Sequence, residues 1–253
     1  MIKYKLILLR HGESKWNLEN KFTGWTNVDL TKKGINEAKN AGKLLLKEKF
    51  EVNQVYTSLL LRANNTMNIC LDTLKANINE IKFDWRLNER HYGTLQGLNK
   101  SEIANRYGDK QVLKWRRSYD IPPPKLKLDD KRHPIHDKIY KNIDSSMLPS
   151  SESLKDTLDR FKPLWEDDII PSIRSGEKVM IVAHGNSLRA LVKILDKISN
   201  KDIVNLNIPT GVPLIYELDS EMMPLTSYYL GDQDEIKRKI ASIKNQGKSK
   251  TLN

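Results

Sequence analysis

The stretch Leu6-Ile7-Leu8-Leu9-Arg10-His11-Gly12-Glu13-Ser14 runs through four apolar residues and stops at an arginine, a histidine and a glycine. Four successive side chains without a polar atom read as a strand buried on both faces, and such strands belong to sheets covered by helices. In open α/β sheets ligands bind beyond the carboxyl ends of strands, so His11 is presented to a ligand on a rigid support. The run Val179-Met180-Ile181-Val182-Ala183-His184-Gly185-Asn186 repeats the theme. A lone histidine after a strand is more often structural than catalytic, but two strand ends that each deliver a His-Gly are harder to dismiss. If the two strands are neighbours, His11 and His184 converge above the sheet edge, with Gly12 and Gly185 leaving room for a ligand close to the backbone.

Between these strands the pattern alternates. Thr31 is placed to cap a helix through Glu48 with Ile35, Ala38, Gly42 and Leu45 on one face, and Val52 to Ser58 reads as a second strand. A helix from about Leu59 carries Arg62 in its first turn and the stripe Ala63, Met67, Cys70, Leu71 and Leu74. This series predicts a sheet with parallel neighbours. Ile81 to Phe83 is a short strand, and Trp85 to Gly93 has too many polar groups for core and reads as a functional loop. A helical stretch from Ser101 towards Trp115 ends at Pro122-Pro123-Pro124. Lys125 to Tyr140 reads as an exposed excursion, and a helix introduced by Pro149 and Ser151 is stopped by Gly176. Strands over Val212–Leu218 and Thr226–Leu230 close the pattern. The expectation is one catalytic domain over residues 1–231, with a loop excursion at about 120–142 and a basic tail over 232–253 placed to close over the site.

The 253 residues carry 43 Lys plus Arg against 32 Asp plus Glu, a formal charge of +11 that favours acidic partners. No aromatic RNA-binding signature and no Cys/His zinc pattern accompanies it, so neither nucleic acid nor a metal is expected. The single cysteine, Cys70, excludes an internal disulfide and suits a reducing compartment. The apolar run at the N-terminus is too short for a signal peptide or a membrane span, and the expected location is cytoplasmic.

Arg10, Arg62, Arg116 and Arg117 are placed to surround one site, and beside two histidines a phosphate pocket is a better reading than four surface ion pairs. Guanidinium forks match phosphate oxygens, each charge-assisted bond contributing about 1.5–3 kcal/mol. Phosphoryl transfer to histidine needs a neutral imidazole, and nearby arginines favour that form. They also stabilise the transferring group, an effect of about 10³–10⁵ in rate for an arginine in other phosphoryl-transfer enzymes. Glu89 is the candidate proton donor and acceptor, a role worth about 10²–10⁴ and favoured by a raised pKa near phosphate. A Glu89 that merely pairs with Arg86 or Arg90 is the competing reading. His133 and His136 are expected to face solvent.

At these residues the chain resembles the cofactor-dependent phosphoglycerate mutases of the histidine phosphatase superfamily. Leu9-Arg10-His11-Gly12-Glu13-Ser14 with Trp16-Asn17, Phe22-Thr23-Gly24-Trp25, Tyr56-Thr57-Ser58 and Arg62-Ala63 recur in order. Leu87 to Gly93, Trp115 to Tyr119 and Ala183 to Ser187 come next, so the likeness spans nearly the whole chain. The resemblance implies a three-layer α/β/α sandwich with a mostly parallel sheet. It implies interconversion of 3-phosphoglycerate and 2-phosphoglycerate in glycolysis and gluconeogenesis, with bisphosphoglycerate synthase and phosphatase side activities. The implied primer is 2,3-bisphosphoglycerate, and the implied assembly a homodimer or homotetramer. In family terms His11 carries the phosphoryl group, Glu89 moves the proton, and His184, Arg10 and Arg62 stabilise the group in flight. Substrate contacts carry over to Ser14, Asn17, Thr23, Gly24, Arg90, Tyr92, Lys100, Arg116, Arg117, Gly185 and Asn186. Ser14, Thr23 and Gly24 favour the glycolytic mutase over bisphosphoglycerate mutase, whose members tend to carry Gly and Cys-Ser there. A histidine phosphatase and a non-catalytic, basic nucleic-acid or partner-binding protein are the alternatives.

Overall fold

A computed structural model of the chain describes residues 1–245. Six strands form one sheet: β1 (Tyr4–Arg10), β2 (Gln54–Thr57), β3 (Glu80–Phe83), β4 (Val179–Ala183), β5 (Pro213–Leu218) and β6 (Pro224–Tyr229). Their order is β3-β2-β4-β1-β5-β6. The first four are mutually parallel, and β5 and β6 continue the sheet antiparallel. The sheet is therefore mixed, with a parallel core. The helices are α1 (Lys15–Leu18), α2 (Lys32–Lys47), α3 (Leu61–Leu74), α4 (Lys100–Tyr107), α5 (Asp109–Arg117), α6 (Leu154–Leu164), α7 (Ile170–Arg174), α8 (Gly185–Leu195) and α9 (Gln233–Asn245).

The pleat divides the apolar run of β1 between two cores, since successive side chains point to opposite faces. Leu6 and Leu8 join Ile181 and Ala183 of β4 and the buried faces of α6 and α8. Ile7 and Leu9 join Met180 and Val182 and pack on Ala41 and Leu45 of α2 and Met67, Cys70 and Leu74 of α3. Helices on both faces give the three-layer sandwich. Cys70 is wholly buried there, and desolvation pushes its thiol up to about 12.

Several local expectations change. Thr31 caps α2, its hydroxyl accepting from Gly34 N at 3.0 Å, but Ile35 is exposed because it lies off the buried stripe. The helix expected from Ser101 to Trp115 breaks into α4 and α5 at Gly108, whose φ of +82° leaves the helical region. The helix after Pro149 starts at Leu154, where Ser153 and Asp156 form a capping box. It holds Pro163 and passes through a π-helical turn at Trp165–Ile169 before α7. The excursion is anchored rather than wholly exposed: Leu126, His133 and Tyr140 are buried, and His133 Nε2 meets Ser150 Oγ at 3.0 Å. His133 therefore does not face solvent, whereas His136 is exposed, as expected, and bonds Leu128 O.

Residues 233–245, expected as tail, are helical, with Ile236 and Ile243 buried. Lys239 Nζ lies 3.4 Å from Glu37 Oε1, while Glu37 Oε2 accepts from Glu13 N at 2.8 Å. The rest of the expected tail, 246–253, lies outside the described residues.

Candidate active site

β1 and β4 are adjacent and in register, Arg10 opposite Ala183, so the residues just beyond them emerge side by side. The rings of His11 and His184 lie 5.0 Å apart, both wholly or almost wholly buried. His11 Nδ1 is 2.7 Å from Gly12 O. A carbonyl only accepts, so this contact places the proton on Nδ1 and the lone pair on Nε2. Arg62 Nε donates to that Nε2 at 3.3 Å, which agrees with the same tautomer. Burial first, then Arg62 and Arg10, hold His11 well below the ordinary histidine pKa. The ring is thus neutral at physiological pH.

Arg62 is fixed by its other two nitrogens, which donate to Thr26 O at 3.0 Å and Gly24 O at 2.8 Å. Burial lowers its pKa to about 10. The loop after β1 is held by Gly12 N donating to Thr66 Oγ1 of α3 at 3.0 Å. Gly12 serves packing rather than ligand access, because a Cβ there would lie 2.3 Å from Gly34 O. Gly185 does line the cleft, and a Cβ on it would meet Arg10 and Glu89 Oε2 at 3.4 and 3.6 Å.

A cleft opens in front of His11. Its wall includes Arg10, Asn17, Thr23, Gly24, Arg62, Glu89, Tyr92, Lys100, Arg116, Arg117, Gly185 and Asn186, as expected from sequence. Ser14, Arg90 and His184 sit behind it. Ser14 caps α1 and its hydroxyl bonds Asn17 Oδ1 at 2.9 Å, so it orients Asn17. Arg90 is buried beneath, donating to Tyr92 OH and Arg116 O. His184 packs against the His11 ring and bonds Ser58 Oγ at 2.7 Å.

Sequence reasoning missed Lys21, Arg189, Ile208 and Ile243, which also form the wall. Arg189 had a signal, one helical turn beyond Asn186 on the same face of α8. Lys21 and Ile243 had none, since only the tertiary fold brings them there. Among the described residues the wall then carries seven cations, Arg10, Lys21, Arg62, Lys100, Arg116, Arg117 and Arg189, against the one carboxylate of Glu89. Burial, then Arg116, Arg10 and Arg117, hold Lys100 well below the usual lysine range. Like charges packed this way favour an anionic occupant.

Trp85 to Gly93 is polar, yet Leu87 through His91 are buried. The cause is Arg160, which pairs with Glu152 at 2.5 Å and donates to Arg86 O, Asn88 O and Glu89 O. The loop's backbone is satisfied inside the protein, which lets polar residues be core. Glu89 does not pair with a guanidinium of its neighbours: Arg86 binds Asp84, and only the backbone N–H of Arg90 reaches Glu89.

Residues 6–130 match the family model described as histidine phosphatase superfamily (branch 1). The chain carries a histidine phosphatase superfamily domain. Among solved structures it is similar to a mycobacterial glucosyl-3-phosphoglycerate phosphatase in complex with VO3, at 21% identity, TM-score 0.67 and coverage of 90% of this chain and 97% of that one. It is likewise similar to Bacillus stearothermophilus YhfR, at 25% identity, TM-score 0.64 and coverage of 87% and 93%. These likenesses show the same fold over nearly the full chain. Among the described residues, no His/Cys/Asp/Glu cluster could hold a metal and no helix is long and apolar enough to cross a membrane.

The buried histidines of this histidine phosphatase domain make its stability pH-dependent. His11, His91 and His184 are all held below the usual histidine range chiefly by burial, His91 at about 3. As pH falls below about 6.5 the unfolded chain takes up protons that the folded one refuses. Each group then removes about 1.4 kcal/mol of stability per pH unit until its folded pKa is reached. The urea midpoint is expected to fall markedly from pH 7.5 to 5.5; a constant midpoint contradicts the buried neutral histidines.

Proposed function

We propose that this chain interconverts 3-phosphoglycerate and 2-phosphoglycerate through a phosphohistidine at His11, primed by 2,3-bisphosphoglycerate. The observation that carries the reading is a neutral, Nε2-directed histidine at the floor of a cleft walled by seven cations and one carboxylate among the described residues. The cations form one continuous set: Arg62 and Arg10 act on His11, and Arg10 acts with Arg116 and Arg117 on Lys100. Such a wall fits a small acid that carries more than one anionic group. The primer fits as well, since Arg10 Nε is a buried donor with no acceptor among the described residues. When bound, 2,3-bisphosphoglycerate supplies the phosphoryl group that charges His11.

The residues divide the chemistry. Gly12 O holds the Nδ1 proton and shares the positive charge that the ring acquires when Nε2 bonds phosphorus. Arg62 and Arg10 stabilise charge on the transferring oxygens. Glu89 gives a proton to the oxygen leaving phosphorus, and its carboxylate takes one from the hydroxyl that attacks on the way back. Ile243, on the cleft wall, supports exclusion of water, which a mutase needs to retain its intermediate.

The test tracks 3-phosphoglycerate with and without a trace of 2,3-bisphosphoglycerate. Formation of 2-phosphoglycerate that depends on the trace is the expected result. Release of inorganic phosphate alone overturns the mutase and makes the chain a phosphatase.

A further inference from the structure

Glu89 Oε1 receives three N–H groups: Arg90 N at 2.7 Å, Asn186 N at 3.2 Å and Asn186 Nδ2 at 2.7 Å. An oxygen that accepts three donors has no lone-pair direction left for a proton, so the proton that Glu89 delivers resides on Oε2. That oxygen is the one beside Gly185 in the cleft wall. The distinction depends on which way the Asn186 amide points. A flipped amide would set Oδ1 against Glu89 Oε1, two acceptors facing each other.

Arg189 prevents the flip. Its Nη1 donates to Asn186 Oδ1 at 2.8 Å, and a flip would set the amide NH2 against this donor. Arg189 is itself immobilised, 2% exposed, with Nη2 donating to Ile203 O at 2.7 Å and Arg117 O at 3.3 Å. Its planar fork makes these bonds at once, which an ammonium cannot reproduce. The order of contact is Arg189, Asn186, Glu89, all on the cleft wall.

We propose that Arg189 is a positioning residue that, through the Asn186 amide, assigns proton delivery to Oε2 of Glu89; this rests on reading His11 and Glu89 as a phosphoryl-transfer pair. In the step concerned the Nε2–P bond forms and the P–O bond breaks. The proton on Oε2 moves to the departing oxygen, leaving Glu89 as the carboxylate and the phosphorylated ring with its Nδ1 proton.

The proposal is tested by the rate of phosphoenzyme formation in single turnover of the full chain with two phosphoryl donors. 2,3-Bisphosphoglycerate expels an alkoxide that needs the proton, whereas 4-nitrophenyl phosphate expels a phenolate that does not and reports by its colour. Arg189→Met is expected to slow transfer from the first donor at saturating concentration by about 10- to 100-fold, the scale of a weakened general acid, and from the second by distinctly less, so that the ratio of the two rates falls at least about threefold. Arg189→Lys is expected to recover little, and Asn186→Asp, which keeps the Arg189 contact but whose side chain cannot donate to Oε1, to show the same selectivity. Should Arg189→Met not fold, Arg189→Lys and Asn186→Asp carry the comparison. Equal losses with both donors overturn the proposal and leave Arg189 a structural residue. No phosphoenzyme from either donor with the wild type overturns the phosphoryl-transfer reading itself.

Discussion

His11→Ala is expected to lower phosphoryl transfer by about 10⁴–10⁶-fold, the range seen when a nucleophile is removed from a catalytic unit that acts as a whole. The size reflects the site: among the described residues only His11 couples a lone pair directed at the cleft with a carbonyl, Gly12 O, that holds the opposite proton. His184 cannot replace it, because its ring lies behind the wall. The fold is expected to persist, since the sheet register and both cores are independent of the imidazole. Acid-quenched phosphoenzyme and urea denaturation read the two consequences separately. A His11→Ala protein that keeps more than about a hundredth of the turnover would move the nucleophile elsewhere.

Arg62→Ala is expected to cost about 10³–10⁵-fold, as for arginines that stabilise a transferring phosphoryl group. Arg62→Lys is expected to restore little. Lysine supplies the charge, but the guanidinium of Arg62 also donates to Gly24 O and Thr26 O while its Nε faces His11. Three fixed donors aimed in different directions are a property of a planar fork and not of an ammonium. The same bonds seat the loop that brings Thr23 and Gly24 to the cleft, so the substitution should also raise the substrate concentration needed for half-maximal rate. Steady-state rates for alanine and lysine variants decide the matter: a lysine variant within tenfold of wild type would show that a point charge suffices.

Much of this site was legible because its residues come directly after apolar runs whose meaning is local. Four apolar residues before Arg10 and five before His184 specify buried strands, and buried parallel strands deliver the residues at their carboxyl ends to one sheet edge. Arg62 was legible as the first turn of a helix that starts just after the second strand. The wrong expectations share a cause. Gly12 was read for a ligand and serves α2, and the Trp85 to Gly93 loop was read as too polar for core although Leu87 through His91 are buried; Ser14, read for substrate, caps α1 and orients Asn17. In each, the deciding neighbour, Gly34, the α1 cap or Arg160, is set by the path of the chain. Lys21 and Ile243 reach the cleft the same way, from an N-terminal loop and from α9, with nothing in their own surroundings to mark them.

By itself the amino-acid sequence determined the layered α/β fold, the two histidines at strand ends and the cationic character of the pocket, since each depends on side-chain type and short-range periodicity. Only the tertiary structure decided which nitrogen of His11 faces the cleft, which oxygen of Glu89 is pinned and that Arg189 stands behind Asn186 in the wall. Those are matters of direction between groups far apart in the chain, Arg62 to His11 and Asn186 to Glu89, and hydrogen bonds carry direction that composition and spacing do not.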